Sequence, residues 1–216
     1  MTTQIKSKKR IMDHGEVFTS EREVNAMLDL IKPETERIES RFLEPACGTG
    51  NFLLEILRRK LHVVEHRYKK SKCEYERYAV LAISSIYGID ILEDNVLQCR
   101  IRLFNYFDER YTRMYGKNCS QDCRGSIRFI LERNIVWGNT LTMKMANTEE
   151  PIVFSEWSAV NGSMLKRRDY LFAHLVDYRI VDNSTPNDSS NLKQNISIRP
   201  IQEFPLIHFL RLNQNE

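Results

Sequence analysis

No stretch of this chain is apolar for long enough to cross a bilayer, which takes about twenty residues. The opening MTTQIKSKKR carries no apolar signal core, so the expectation is a cytoplasmic protein with no membrane attachment. Cysteine is scarce: five residues, odd in number and scattered, fit reduced thiols better than a disulfide framework. Glycine is scarce too, at eight residues, yet two of them stand at 48 and 50. The third glycine of a dinucleotide-binding fingerprint is missing, because Phe52, Leu53 and Leu54 follow. That argues against a pyrophosphate cradle. No two of the six prolines are adjacent, and none is preceded by Asn or Asp. What is present is 42% hydrophobic content over 216 residues, enough for one full core. The net charge is only +3, but basic residues cluster at 6–10, 58–60, 67–72 and 166–168. Such clusters either displace counterions from nucleic-acid phosphates or form solvated helix faces.

Residues 41–57, RFLEPACGTGNFLLEIL, organise the rest. An apolar strand end (Phe42, Leu43) meets Glu44 and Pro45, then a small-residue turn from Ala46 to Gly50, then a helix carrying Phe52, Leu53, Ile56 and Leu57. Strand, glycine turn and helix present a ligand at the carboxyl edge of a parallel α/β sheet, since glycine lets the backbone adopt positive φ and come close. Here the strand-end acid points to a ligand held by a carboxylate.

The segment 44–53, EPACGTGNFL, closely resembles the S-adenosyl-L-methionine (AdoMet) motif of adenine-N6 DNA methyltransferases, the family of type I modification subunits and fused restriction–modification enzymes. The resemblance implies an α/β, Rossmann-like methyltransferase sheet with helices on both faces. It implies that Glu44 holds the methionine part of AdoMet while Ala46, Gly48 and Gly50 let the cofactor lie on the backbone. Pro45, Asn51 and Phe52 complete that stretch. Upstream, residues 15–19 (GEVFT) are similar to the family segment whose Phe18 and Thr19 equivalents pack against AdoMet. Residues 88–91 (GIDI) resemble the second cofactor motif, with Asp90 for the ribose hydroxyls and Ile91 against the adenine. Residues 138–141 (GNTL) are similar to the third motif, with Asn139 toward the adenine amine. The family's catalytic Asn/Asp-Pro-Pro-aromatic motif is absent. In its slot, after Ile152, Val153 and Phe154, stand Ser155, Glu156, Trp157 and Ser158. Trp157 is a candidate to stack on a flipped base and Glu156 to accept from its amine; the alternative is a core tryptophan and a surface acid.

Around these motifs the sequence predicts a helix capped by Ser20 and Glu23, with Val24, Met27, Leu28 and Ile31 inward and Pro33 as its stop. The helix after the glycine turn extends into the basic patch near Lys72, and a further one carries Tyr75, Tyr78, Leu81 and Ala82 into a strand over 85–89. From Asp94 a long helix directs Val96, Leu97, Ile101, Phe104 and Phe107 inward and Arg100, Arg102 and Arg110 outward. A polar connection over 116–125, a helix over 126–133, a strand at 135–137 and a helix over 164–176 follow. Within the basic patch, residues 62–66 (HVVEH) match an inverted zinc-peptidase pattern. No third ligand follows, and Cys119 with Cys123 suits a helical turn as well as a metal knuckle. No metal is expected.

Three regions are expected: a basic arm at 1–13, an AdoMet-binding domain at 14–180, and a linker with an ill-defined end at 181–216. No further strands follow the fourth, so the sheet is expected to be incomplete toward the C-terminus. The implied function is methyl transfer from AdoMet to adenine N6 in double-stranded DNA, within a restriction–modification or defence system whose specificity or nuclease subunit reads the sequence. The alternative is a catalytically silent AdoMet-binding subunit or remnant that binds a partner or DNA. A third reading is a methyltransferase for RNA, protein or a small molecule that uses Glu156 and Trp157.

Overall fold

The computed structural model describes residues 19–176 and 199–214. The basic arm, Phe18 and the polar stretch 182–195 lie outside the described residues. The chain opens with α1 (Glu21–Asp29), where Ser20 and Glu23 form the expected capping box. Val24 and Leu28 are buried, whereas Met27 and Ile31 are exposed, so the inward stripe is narrower than predicted. Pro33 lies at the start of a short α2 (Lys32–Thr35) rather than ending α1 itself.

Then come β1 (Phe42–Glu44), α3 (Asn51–Tyr68), α4 (Lys72–Ser84), β2 (Ile86–Asp90), α5 (Glu93–Tyr115), α6 (Gln121–Asn134) and β3 (Ile135–Asn139). The strands β1, β2 and β3 are parallel neighbours in that order, with Phe42 opposite Ile86 and Gly88 opposite Ile135. The short strand β4 (Lys144–Met145) adds antiparallel to β3. Both crossovers step in the same direction across the sheet, and for right-handed connections this puts their helices on one face. Accordingly, Leu53, Leu57, Ala79, Val80, Val96, Leu103, Ile127 and Ile130 share one core with Ile86 and Ile135. The opposite face is closed by Tyr87, Ile89, Val136, Ile152, Phe154 and Phe172, a cluster without residues of α3 to α6. A mixed α/β architecture is therefore present: the four long helices cover one face, and on the other the described residues bring a single helical turn, 172–176, whose Phe172, Leu175 and Val176 join the second cluster.

Two predicted elements change identity. The strand expected in the fourth slot is β5 (Val153–Ala159), which pairs antiparallel with β6 (Met164–Leu171); β6 takes up most of the helix predicted over 164–176, of which only 172–176 are helical. The hidden period has a physical cause. The residues of β6 on the buried side include Arg167 and Asp169, which pair with each other and with Ser155, so the apolar alternation that marks a half-buried strand is interrupted. β7 (Gln202–Glu203) and β8 (Ile207–His208) add to β6. Phe209 and Leu212, from the stretch expected to be ill-defined, are buried in the main core.

The connection expected over 116–125 is shorter than predicted. Ser120 accepts from the Cys123 amide and starts α6 at Gln121. α5 buries Val96, Cys99, Leu103, Phe107 and Tyr111, while Leu97 and Ile101 face solvent. The predicted stripe was thus partly out of phase. None of its three outward arginines is a plain solvated charge: Arg100 donates to the carbonyls of Glu132 and Ile135, Arg110 pairs with Glu65, and Arg102 reaches the glycine turn.

Candidate functional site

The parallel strands end at one edge, and the glycine turn is bound into it. The Cys47 amide donates to the Ile89 carbonyl at 2.9 Å, extending the β1–β2 ladder beyond Glu44. The Gly48 amide then donates to Asp90 Oδ2 at 2.8 Å. Gly48 has φ +52°, and the space a Cβ would take is open. Gly50 has φ +86°, and a Cβ there would stand 2.5 Å from Cys99 Sγ. Two physical demands therefore fall on two glycines: Gly50 lets α3 start against α5, and Gly48 leaves the outer side of the bend bare.

Glu44 ends β1 half-buried, accepting from the Ala46 amide at 3.3 Å. Burial raises its pKa, with the Ala46 hydrogen bond opposing. Among the described residues no cation pairs with it. Asp90 is 9% exposed and receives three donors: Gly48 N–H on Oδ2, and Leu92 N–H with Asn95 Nδ2 on Oδ1. An ionised carboxylate offers about four acceptor positions, so Asp90 retains about one for a ligand hydroxyl rather than the pair of positions that a two-hydroxyl contact needs. Below the bend the buried Cys47 thiol is raised in pKa by its hydrogen bond to Cys99 and by burial.

Thr19 and Asn51 meet: Asn51 Nδ2 donates to the Thr19 carbonyl at 3.0 Å, tying the chain upstream of α1 to the bend. Asn139 lies at the same sheet edge, its Oδ1 accepting from the Leu141 and Thr142 amides. Ile91 is exposed beside the tip of β2, and its carbonyl accepts from Trp137 Nε1 at 2.9 Å. Pro45 and Ala46 are exposed, and the Pro45 carbonyl accepts from Thr140. Phe52 packs against the main core from the first turn of α3. So Thr19, Glu44, Pro45, Ala46, Gly48, Gly50, Asn51, Asp90, Ile91 and Asn139 gather at one edge, with Phe52 just inside it.

Glu156 and Trp157 are not brought there. Glu156 pairs with Arg41, the residue before β1, and with Arg168. Burial pushes its pKa up, but Arg41, Ser158 and Arg168 outweigh that and hold it below the ordinary value. Trp157 is 6% exposed and donates at 3.2 Å to Asn134, which itself holds the carbonyls of Ser84 and Ile86. Both therefore sit at the amino ends of the parallel strands, the length of β2 away from the bend, roughly 13 Å at 3.3 Å per residue. Trp157 also lines a cavity of about 250 Å³ with Phe129, Arg167 and Phe204. The structure thus brings neither candidate catalytic residue to the bend: Trp157 is buried in the core and Glu156 is ion-paired.

Arg102 was missed as a site residue. It comes 52 positions after Gly50, and no local pattern links the two; only the packing of α5 across α3 brings them together. No protein-family model, no curated protein and no solved structure matches this chain. Among the described residues no helix is long and apolar enough to cross a membrane, and no group of three or more His, Cys, Asp or Glu side chains is placed to hold a metal ion.

Proposed function

We propose that this chain binds AdoMet over the bend at Gly48 and Gly50, as the cofactor-binding part of a cytoplasmic adenine-N6 DNA methyltransferase in a restriction–modification or defence system. Glu44 carries the proposal. It is a half-buried carboxylate, raised in pKa and without a cation among the described residues, beside a left-handed glycine whose absent side chain leaves open space. An ammonium group placed there offsets the burial of Glu44. The other groups fit the same ligand: the last acceptor position of Asp90 takes one ribose hydroxyl, Ile91 packs against the adenine, and Asn139 stands at the rim. Thr19 and Asn51 close the methionine side. The bound cofactor supplies an electrophilic methyl group, and transfer to an adenine amine is a displacement in which alignment matters more than acid–base chemistry. Double-stranded DNA is the substrate, read by a separate specificity or nuclease subunit.

A second reading, a catalytically silent AdoMet-binding subunit, is favoured by one observation: Glu156 and Trp157 stand at the amino end of the sheet. Calorimetry with AdoMet and S-adenosylhomocysteine tests the binding, and heat from a single site is expected. No heat with either ligand overturns both readings. Labelled methyl transfer to DNA then separates them. Label in DNA supports the enzyme, whereas binding without transfer, even with the neighbouring gene products present, supports the silent subunit.

A further inference from the structure

The bend is flanked by charges of opposite sign. Glu44 precedes it, and Arg102 reaches its far end from α5. Arg102 Nη1 donates to the Thr49 carbonyl at 2.6 Å, to Thr49 Oγ1 at 2.9 Å and to Asn51 Oδ1 at 2.9 Å. Its Nε and Nη2 have no acceptor among the described residues, and no carboxylate pairs with it there. The neighbouring arginines differ. Arg100 spends Nε and Nη2 on carbonyls of α6 and β3, and Arg110 is paired with Glu65. A half-buried guanidinium that uses one nitrogen to brace the bend keeps a planar set of donors for a carboxylate. α3, which begins at Asn51 behind the Gly50 N-cap, adds no side-chain cap and no acid in its first turn.

We infer that Arg102 receives the α-carboxylate of the ligand while Glu44 receives its α-ammonium, so that the bend recognises the amino-acid zwitterion of AdoMet and not the nucleoside alone. The inference rests on the proposed AdoMet site and names the residue that sets its selectivity. Arg102 is a binding residue through its free donors and a positioning residue through Thr49 and Asn51.

A comparison of S-adenosylhomocysteine with methylthioadenosine, which shares the nucleoside and lacks the amino acid, separates these roles. The wild-type chain is expected to bind the former more tightly. Arg102→Met should weaken S-adenosylhomocysteine binding about tenfold or more, the scale of a lost charge-assisted hydrogen bond, and leave methylthioadenosine within about twofold. Arg102→Lys should recover part of the loss. If Arg102→Met weakens both ligands equally, the residue only braces the bend and carboxylate recognition is overturned. Unchanged S-adenosylhomocysteine affinity in Arg102→Met, or equal wild-type affinity for the two ligands, also overturns it while leaving the nucleoside site intact. A wild-type chain that binds neither ligand removes the AdoMet site itself.

Discussion

At the scale of residues, Gly48 and Gly50 illustrate how one motif serves two ends. Gly50→Ala meets Cys99 Sγ at 2.5 Å and a left-handed φ together, and should cost about 3 kcal/mol of stability in urea unfolding. Gly48→Ala has only the left-handed φ to bear, and should cost about 1 kcal/mol while weakening AdoMet binding in calorimetry. Unchanged AdoMet binding in Gly48→Ala would mean that the open side of the bend is not the ligand side. Glu156 and Trp157 make the same kind of pair. Trp157→Ala empties a core position and should cost about 3–5 kcal/mol. Glu156→Ala breaks an ion pair whose Arg41 partner is 57% exposed, should cost less than about 1 kcal/mol, and should leave AdoMet affinity unchanged. Motif residues were legible because their chemistry is local: a positive φ, a strand-end acid, a cap. Arg102 was not, since its partners are distant in sequence.

At the scale of elements, α3 joins the two ends of the sheet. Gly50 caps it at the carboxyl edge, and near its middle Lys60, fully buried, donates to the Ile38 carbonyl at 3.1 Å and to the Ser40 carbonyl and Ser85 hydroxyl. That one ammonium fastens the entries of β1 and β2. Burial pushes its pKa down to about 7, with the Glu34 charge opposing. Below about pH 7 both folded and unfolded chains hold the proton, and the folded chain carries the full penalty of a buried charge. Above it the folded chain releases the proton, while the unfolded chain keeps it up to about 10.4. Stability should therefore rise with pH across that window, by up to about 1.4 kcal/mol per pH unit. Urea midpoints of wild type and Lys60→Met, taken from about pH 6 to pH 10, check this: the wild-type curve should climb relative to the variant. Elements with an apolar period were readable, including α4 and β2. β6 was not, because its buried side contains Arg167 and Asp169, whose mutual pairing only the fold makes acceptable.

At the scale of the whole molecule, the fold separates two regions. The carboxyl edge of β1, β2 and β3 gathers the bend, Asp90, Ile91 and Asn139, while the β5–β6 hairpin closes the amino end. A ligand that binds only the folded chain stabilises it by about 2.7 kcal/mol at a hundredfold excess over Kd. For a chain of this size AdoMet should then raise the unfolding midpoint by roughly 5–10 °C, and Gly48→Ala should blunt the rise. A midpoint that does not move with AdoMet would remove the site.

The amino-acid sequence by itself determined the order strand, glycine bend, helix, the capped α1 and the acid at the tip of β2, because each depends on neighbours within a few turns of chain. Only the tertiary structure decided that Gly48 donates to Asp90, that Arg102 braces the bend, that the long helices share one face, and that Glu156 and Trp157 lie at the opposite end of the sheet from the bend. Those facts depend on which strands pair and on which buried polar groups find partners, and pairing across 40 to 115 residues leaves no local period to read.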